Sequence, residues 1–249
     1  MEAILLAAGL GTRLRPLTDS RPKALVELGG TTLLELNLRN LAAQGIRHVV
    51  VNVHHFADQI VDFIGTHHWG LPVSISDERE LLLDTGGALK RASRLLRGDG
   101  PVLVHNVDIL SDIDFAEMGH LHSRHANLVT LAVSARTTRR QLLFAPNLQL
   151  VGRQTGDAST REWCTQPYDD VTPLAFSGIS ILSPQLFPLL PADDHPFAII
   201  PEYMRLALHH RIEAYPHSAT SWMDVGKLDA LPQAAALVAT LPNYQPTRP

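Results

Sequence analysis

The chain has little of what marks secreted, membrane-spanning or nucleic-acid-binding proteins. Cys164 is its one cysteine, so no disulfide can form within the 249 residues. No apolar stretch reaches the roughly 18 residues that a membrane-spanning helix needs, and the N-terminus lacks the basic start and cleavage site of a signal peptide. The net charge is −4 and no basic block is present, so a nucleic-acid partner is not expected. Together these absences predict a cytoplasmic protein without membrane or nucleic-acid partners.

The remaining composition is that of a globular enzyme. Apolar residues make up 45% of the chain and charged residues 18%, and both values are ordinary. A chain of this length forms one large α/β domain or two small ones. We expect a single domain over residues 1–240, followed by a proline-rich tail at 241–249 that lies along the surface or frays.

Strand and helix patterns alternate through the first half of the chain. Short apolar runs predict buried strands at residues 3–8, 49–53, 72–76 and 101–106. Apolar residues at helical spacing predict helices from the capping box Thr32–Glu35 to Gly45, at 56–64 and at 86–96. This alternation predicts a mostly parallel sheet that is covered by helices on both faces.

The pattern changes after about residue 126. Strand patterns follow one another with few helices between them, at residues 128–134, 141–144, 148–152 and 174–182. Residues 153–170 are polar and rich in turn formers, which predicts a long loop. Helical patterns return at residues 199–210 and 229–240. The second half is therefore expected to be richer in strands than the first.

The most informative segment is a glycine-rich loop after the first predicted strand. Gly9 and Gly11 let backbone approach a ligand closely, and the cations Arg13, Arg15 and Lys23 follow at once. This combination predicts a site for a polyanion such as a triphosphate. A dinucleotide fingerprint and a P-loop are both excluded, because the third glycine of the first and the Gly-Lys-Ser/Thr ending of the second are missing. The alternative is a surface turn with incidental cations.

Two aspartates follow predicted strands at distant points of the sequence. Asp108 comes directly after a buried strand in HNVDIL, and Asp224 lies in SWMDVGK. Ligands of open α/β sheets bind beyond the carboxyl ends of the strands, so Asp108 should share an edge with the glycine-rich loop. Mg²⁺ binds one or two carboxylates together with substrate phosphates, and this pair predicts such a site. The alternative is that each aspartate caps a helix or a turn.

Two further glycine segments could bring backbone close to a ligand. Gly86 and Gly87 follow Asp84-Thr85 at the start of a predicted helix, where a base or a ribose could approach. Gly178 interrupts a strand pattern, which often marks close approach of a ligand or of another backbone. Each glycine could equally serve a turn or the packing of the chain.

These segments resemble the sugar-1-phosphate nucleotidyltransferases, or NDP-sugar pyrophosphorylases, over nearly the whole chain. The signature loop of that family is similar to LAAGLGTRLRPLT and RPKALVEL, and its base-binding segment is similar to LDTGGAL. Its two metal aspartates and its sugar-binding strand are similar to HNVDIL, WMDVGKLDAL and FSGISIL, although Val107 stands where glycine is usual.

The resemblance implies an α/β fold with a Rossmann-like three-layer core, a mostly parallel sheet and a small β-rich sugar-binding subdomain, the GT-A-like nucleotidyltransferase fold. It divides the domain into a nucleotide-binding half at 1–126, a sugar-binding half at 127–226 and a C-terminal helix at 227–240. The nucleotide-binding residues that it implies are Ala7, Ala8, Gly9, Gly11, Thr12, Arg13, Lys23, Thr85, Gly86, Gly87 and Asp108. The implied sugar-binding residues are Asn106, Gly178 and Arg153, and the implied Mg²⁺ ligands are Asp108 and Asp224.

The resemblance also implies a reaction, in which an NTP and a sugar 1-phosphate give an NDP-sugar and pyrophosphate. The resemblance implies that Arg13 and Lys23 are the catalytic residues: Arg13 would hold the leaving pyrophosphate, and Lys23 would bring the two anions together at the α-phosphate. The family often holds the sugar phosphate with a second lysine in a Glu-Lys-Pro setting. None occurs between residues 135 and 175, so Arg153 or Arg161 could replace it.

The substrates are less closely defined by the sequence. The chain lacks the hexapeptide-repeat domain of bifunctional relatives, and this short form resembles N-acetylmuramate-1-phosphate uridylyltransferases. We expect UTP before GTP, with short mannose- and heptose-1-phosphate guanylyltransferases as rivals, and a monomer or small homo-oligomer. Arg139, Arg140 and Arg153 could face the lactyl carboxylate of N-acetylmuramate, or could be solvated surface residues.

Two other classes of protein are weaker alternatives. A non-catalytic nucleotide-sugar sensor should lack a phosphate-binding cation or a metal carboxylate, whereas this chain keeps Arg13, Lys23, Asp108 and Asp224. A dinucleotide-dependent oxidoreductase is disfavoured because Leu14 stands in place of the third glycine.

Overall fold

A computed structural model describes residues 1–156, 160–164, 166–192 and 195–245. Within these ranges the strands are β1 Glu2–Leu6, β2 Glu27–Leu28, β3 Thr31–Thr32, β4 Val49–Val53, β5 Val73–Asp77, β6 Val102–Asn106, β7 Ile109–Ser111, β8 Val129–Ser134, β9 Arg140–Phe144, β10 Leu150–Thr155, β11 Thr160–Trp163, β12 Thr172–Leu182, β13 Ile212–Pro216 and β14 Trp222–Asp224. The α-helices of the same ranges are α1 Leu33–Ala43, α2 Ala57–Gly65, α3 Asp84–Ala92, α4 Phe115–Arg124, α5 Ile199–Leu206 and α6 Leu231–Thr240.

One mixed sheet runs through the molecule, with its parallel part built from the first half of the chain. The strand order in this part is β6-β1-β4-β5, and all three pairings are parallel. The order reverses between β1 and β6, and ligands of open α/β sheets bind at such a switch point, beyond the carboxyl ends of the strands. Leu6 and Asn106 pair at the ends of these two strands. The glycine-rich loop and Asp108 therefore leave the sheet side by side.

Both faces of this sheet are buried, which produces the three layers. Along β1, Ile4 belongs to one apolar cluster, whereas its neighbours Ala3 and Leu5 belong to another. The first cluster includes residues of α3 and α5, and the second includes residues of α1, α2 and α4. Side chains of successive strand residues point to opposite faces, so the apolar run of β1 packs against helices on both sides. The predicted α/β three-layer core is confirmed.

The second half of the sheet is antiparallel, except that β13 runs parallel to β8. The long strand β12 pairs with β6 at one end and with β9 at the other, and β10 and β11 continue the sheet beyond β9. The prediction of a long loop at 153–170 is wrong, because β10 continues to Thr155 and β11 spans Thr160–Trp163. The polar composition did not indicate strands here, but β10 and β11 pair with each other and so satisfy their backbone hydrogen bonds. Residues 157–159 and 165 lie outside the described residues.

Short polar caps begin several of the helices. The Thr32 hydroxyl accepts a hydrogen bond from the Glu35 N–H at α1, as the capping box predicts. Asp114 accepts from two backbone N–H groups at α4.

Helix α5 ends at Leu206, four residues before the predicted end of the helix at 210. No helix among the described residues is long and apolar enough to cross a membrane.

Residues 241–245, directly after α6, pack into the domain, whereas the tail at 241–249 was predicted to lie along the surface or to fray. A 3₁₀ turn spans Pro242–Tyr244, and Tyr244 is only 1% exposed. Its hydroxyl accepts from the Ser111 N–H at 2.9 Å and from Asn40 Nδ2 at 3.1 Å, and donates to the Ser111 carbonyl. A buried aromatic ring with a satisfied hydroxyl anchors this segment between α1 and β7. Residues 246–249 lie outside the described residues.

Candidate active site

The glycine-rich loop has a backbone conformation that requires its second glycine. Gly11 has φ +64°, in the left-handed region that favours glycine. A Cβ at this position would lie 3.0 Å from both Lys23 Cβ and Thr18 Cγ2. The Gly11 carbonyl accepts hydrogen bonds from the Leu14 N–H and the Thr18 hydroxyl, each at 2.9 Å. The loop is thus fixed at its base while residues 9–13 remain largely accessible to a ligand.

Two buried polar residues hold the start of this loop, and the sequence analysis missed both. Asn52 Oδ1 accepts hydrogen bonds from the Ala7 N–H at 2.6 Å and from the Ala8 N–H at 3.3 Å. Asn52 Nδ2 donates to Glu78 Oε1 at 2.9 Å, and Glu78 Oε2 accepts from the Leu83 N–H at 3.3 Å. Glu78 is fully buried, which raises the pKa of its carboxyl group. These hydrogen bonds, from Ala7 through Asn52 and Glu78 to Leu83, connect the glycine-rich loop with the start of α3.

The sequence did contain a signal for one of these residues. Asn52 interrupts the otherwise apolar run VVVNV of a strand that is buried throughout. A buried amide requires hydrogen-bond partners, so its position at the carboxyl end of β4 indicates a role at the ligand-binding edge.

Lys23 and Asp108 form an ion pair at the centre of the site. Lys23 Nζ contacts Asp108 Oδ2, and both side chains are largely buried. Lys23 follows the glycine-rich loop in sequence, whereas Asp108 follows β6. The prediction that Asp108 shares an edge with this loop is therefore confirmed by the fold.

Asp224 reaches the same place through a second, small sheet. Strand β14 pairs antiparallel with β7, with Asp224 opposite Ile109. The Val225 N–H donates to the Asp108 carbonyl at 2.8 Å, so the two aspartates lie on adjacent backbone segments. Two carboxylates at the edge of the predicted phosphate site are of the kind that Mg²⁺ takes as oxygen ligands together with substrate phosphates. No group of three or more acidic, histidine or cysteine side chains among the described residues forms an alternative metal site.

Arg13 lies beside Asp224 because Gly226 leaves room for it. A Cβ at Gly226 would lie 2.7 Å from Arg13 Nη2 and 2.7 Å from Asp224 Oδ1. The Gly226 N–H also donates to Asp224 Oδ1 at 2.7 Å, which orients the carboxylate. Within the described chain Arg13 makes no ion pair, whereas its neighbour Arg15 pairs with Asp19 at the surface. Arg13 is thus the cation of this loop that is open to an anionic ligand.

The glycine pair at the start of α3 has a packing role in the structure. The Phe197 carbonyl accepts from the N–H groups of Gly86 at 2.8 Å and of Gly87 at 3.4 Å. A Cβ at Gly86 would lie 2.2 Å from the Phe197 ring, and one at Gly87 would lie 2.8 Å from the His195 carbonyl. Thr85 Oγ1 accepts from the Ile199 N–H. The segment therefore binds the chain before α5, and a contact of Thr85, Gly86 or Gly87 with nucleotide stays a prediction.

Two of the three predicted sugar-binding residues lie together at the site. Gly178 has φ +74°, and a Cβ there would lie 2.9 Å from Asn106 Nδ2. The pairing of β12 with β8 shifts register between Phe176 and Ser180, around this glycine. Because Asn106 ends β6, two residues before Asp108, this pair adjoins the proposed metal site.

The structure does not bring Arg153 to this place. Arg153 on β10 pairs with Leu142 of β9, and Leu142 in turn pairs with Leu174 of β12. Arg153 therefore lies two strands away from β12, level with a residue four positions before Gly178. Its guanidinium forms an ion pair with Glu162 at 2.7 Å. The alternatives fare no better, because Arg161 contacts Gln154 and the Trp163 ring on the edge strand, and Arg139 and Arg140 are exposed. Pairing register, which residue type does not reveal, separates Arg153 from Gly178.

Comparisons with known proteins agree with this architecture. A family model described as nucleotidyl transferase matches residues 2–142. The chain is 36% identical over 248 residues to the N-acetylmuramate alpha-1-phosphate uridylyltransferase of Caulobacter vibrioides, which covers 95% of this chain and 96% of that protein. It is 28% identical over 231 residues to the mannose-1-phosphate guanyltransferase of Yarrowia lipolytica, covering 91% of this chain and 61% of that protein. The crystal structure of HddC from Yersinia pseudotuberculosis has a TM-score of 0.76 at 20% identity, over 95% of this chain and 98% of the other, which shows a shared fold.

Proposed function

Because this chain belongs to the nucleotidyl transferase family, we propose that it transfers the uridylyl group of UTP to N-acetylmuramate 1-phosphate and releases pyrophosphate. The reaction class, nucleotidyl transfer to a sugar 1-phosphate, follows from the family. The substrates are proposed from one observation, the 36% identity to a uridylyltransferase of that substrate, which extends over 95% of this chain.

The reaction joins two anions. An ionised oxygen of the sugar phosphate attacks the α-phosphorus of UTP, and a new P–O bond forms. The bond from the α-phosphorus to the oxygen that bridges to the β-phosphate breaks, and pyrophosphate leaves with that oxygen. The nucleophile is already ionised at neutral pH, so no general base is needed. Catalysis is therefore mainly positioning and the offset of negative charge.

The cations of the site suit this task. Lys23 lies between the glycine-rich loop and the end of β6, where it can approach the α-phosphate and the sugar phosphate together. Arg13 lies on the loop itself, beside Gly226, and we assign it to the leaving pyrophosphate. In the structure Lys23 pairs with Asp108, and substrate phosphates would offer it a second set of anionic partners.

Asp108 and Asp224 are the residues that would hold Mg²⁺. Their fit rests on the donor set, two carboxylates on adjacent segments joined by the hydrogen bond from the Val225 N–H to the Asp108 carbonyl. When bound, the ion would neutralise charge on the phosphate groups. The bond from the Gly226 N–H to Asp224 keeps that carboxylate oriented.

A second candidate is a guanylyltransferase that acts on mannose 1-phosphate. The observation in its favour is the 28% identity to the Yarrowia lipolytica enzyme over 91% of this chain. That relative is considerably longer, since the match spans 61% of it, and the identity is lower than to the uridylyltransferase.

A pyrophosphate-release assay tests the proposal directly. UTP and GTP would each be paired with N-acetylmuramate 1-phosphate, mannose 1-phosphate and N-acetylglucosamine 1-phosphate, with and without Mg²⁺. We expect the highest kcat/KM for UTP with N-acetylmuramate 1-phosphate, and a strict Mg²⁺ requirement. Asp108→Asn and Asp224→Asn should each abolish most turnover, whereas Asp99→Asn, at an exposed ion pair with Arg47, should not. A far higher kcat/KM for GTP with mannose 1-phosphate would refute the proposed substrates.

A further inference from the structure

Arg136 is held rigidly just after β8, between β12 and β14. Its Nη1 donates to the Ser134 and Ser177 hydroxyls, each at 3.0 Å, and its Nη2 donates to the Phe176 carbonyl at 2.5 Å. The guanidinium also stacks on the Trp222 ring, 4.0 Å from its centroid. An arginine fixed on three sides has already lost the side-chain freedom that binding a ligand would otherwise cost.

The residues that hold Arg136 are themselves fixed. The Ser177 carbonyl accepts from Trp222 Nε1 at 2.9 Å, and the Ser177 hydroxyl also contacts the buried His217 ring at 2.7 Å. Thr220 contacts the other nitrogen of that ring at 2.9 Å. Hydrogen bonds therefore link the support of Arg136 across β12, β14 and the chain between β13 and β14.

This support places Arg136 next to the proposed active site. Ser177 precedes Gly178, where an added Cβ would lie 2.9 Å from Nδ2 of Asn106, at the end of β6. Trp222 lies on the same short strand as Asp224, two residues before it, and side chains two residues apart on a strand point to the same face. Arg136 is thus held by the two strands that carry Gly178 and Asp224, within the half of the chain that is predicted to bind the sugar.

Among the described residues, no carboxylate in contact with Arg136 balances its charge. Across the described ranges, no Asp or Glu oxygen forms an ion pair with this guanidinium, although the side chain is half-buried. Of its five N–H donors, three have partners in the structure. Nε and the second Nη2 hydrogen are left for another acceptor. A partly buried cation with two spare donors is a good site for a phosphate or a carboxylate.

We propose that Arg136 binds the phosphate of the sugar 1-phosphate. This inference rests on the proposed reaction, since it assigns a cation to the nucleophilic phosphate of that reaction. Arg136 and Lys23 then offset the negative charge of the two phosphate groups that must meet.

The test compares Arg136→Gln and Arg136→Lys with Arg140→Gln, which removes an exposed arginine from the same region. Each variant is first checked for native circular dichroism and thermal unfolding. Loss of a charge-assisted contact should raise KM for the sugar 1-phosphate about 10- to 100-fold in Arg136→Gln. KM for UTP should change less than about threefold. Arg136→Lys should recover part of the loss, and Arg140→Gln should behave as wild type.

A competitor separates the phosphate from the rest of the sugar. N-acetylglucosamine 1-phosphate carries the phosphate but no lactyl carboxylate, and its inhibition constant against N-acetylmuramate 1-phosphate should rise in Arg136→Gln as much as KM does. An unchanged inhibition constant with a raised KM would assign Arg136 to the carboxylate and overturn the proposal. An unchanged KM, or equal losses for both substrates that lysine does not relieve, would also overturn it. Use of a different sugar 1-phosphate by wild type would refute only the proposed substrates, and Arg136 would then be tested with that sugar.

Discussion

Removing the side chain of Asn52 should weaken both the fold and nucleotide binding. Asn52 is 3% exposed and makes three hydrogen bonds, two with the N–H groups of Ala7 and Ala8 and one with Glu78. Asn52→Ala leaves the Ala7 N–H and one oxygen of the Glu78 carboxylate without these partners. Each buried group left unpaired costs about 1–3 kcal/mol. The two together predict a loss of about 4 kcal/mol in the free energy of unfolding, with a smaller addition from the 3.3 Å bond to Ala8.

The same substitution should affect the two substrates unequally. Ala7 and Ala8 lie at the start of the glycine-rich loop, so their release should loosen the proposed triphosphate site. We expect KM for the NTP to rise about tenfold, equivalent to about 1.4 kcal/mol, while KM for the sugar 1-phosphate changes much less. Urea denaturation gives the stability, and steady-state kinetics at temperatures where the variant is folded give the two KM values.

A control and a double variant sharpen this prediction. Asn147→Ala removes an exposed asparagine whose side chain accepts only from the nearby Gln149 N–H, and should cost less than about 1 kcal/mol. Each single variant, Asn52→Ala or Glu78→Ala, loses the hydrogen bond between the two residues. The double variant loses that same bond only once, so its loss in the free energy of unfolding should be smaller than the sum of the two single losses. A loss below about 1 kcal/mol for Asn52→Ala, or strict additivity in the double variant, would refute the argument.

Three further predictions concern the charges and the packing of the site. Arg13→Ala and Lys23→Ala should each lower kcat/KM about 10²- to 10³-fold in the pyrophosphate-release assay, the usual cost of losing one preorganised donor, and losses below about fivefold would argue against a phosphate clamp. Gly226→Ala should lower kcat/KM with little change in thermal unfolding, because the new Cβ would lie 2.7 Å from both Arg13 Nη2 and Asp224 Oδ1. The control Gly100→Ala should match wild type, because a Cβ there meets nothing within 4 Å. Burial raises the pKa of Glu78, so the protonated carboxyl contributes its full stability below about pH 4.5, and this contribution is lost as the pH rises through the folded-state pKa. The free energy of unfolding in urea should therefore differ less between Glu78→Gln and wild type as the pH rises. A difference that grows with pH would contradict the direction of this pKa shift.

Local patterns were sufficient for the parallel half of the fold and for the residues at its edge. Apolar runs predicted β1, β4 and β6, because strands buried on both faces carry few polar residues, whereas β5 is only half-buried. Glycines and cations directly after β1 indicated the phosphate loop, since backbone freedom and charge belong to the residues themselves. Asp108 could be placed beside that loop from one rule about the carboxyl ends of strands.

Long-range pairing decided the rest of the site, which no local pattern contains. The alternation of side chains along a strand does not say which strand pairs with it or in what register. Arg153 was predicted at the sugar site but lies on β10 with Glu162, whereas Arg136, which we propose for that site, is held by β12 and by the Trp222 ring. Likewise Gly86 and Gly87 pack against the chain before α5, a contact across more than one hundred residues. Residue type therefore revealed which charges this protein has available, and only the pairing of its strands decided which of them meet at one point.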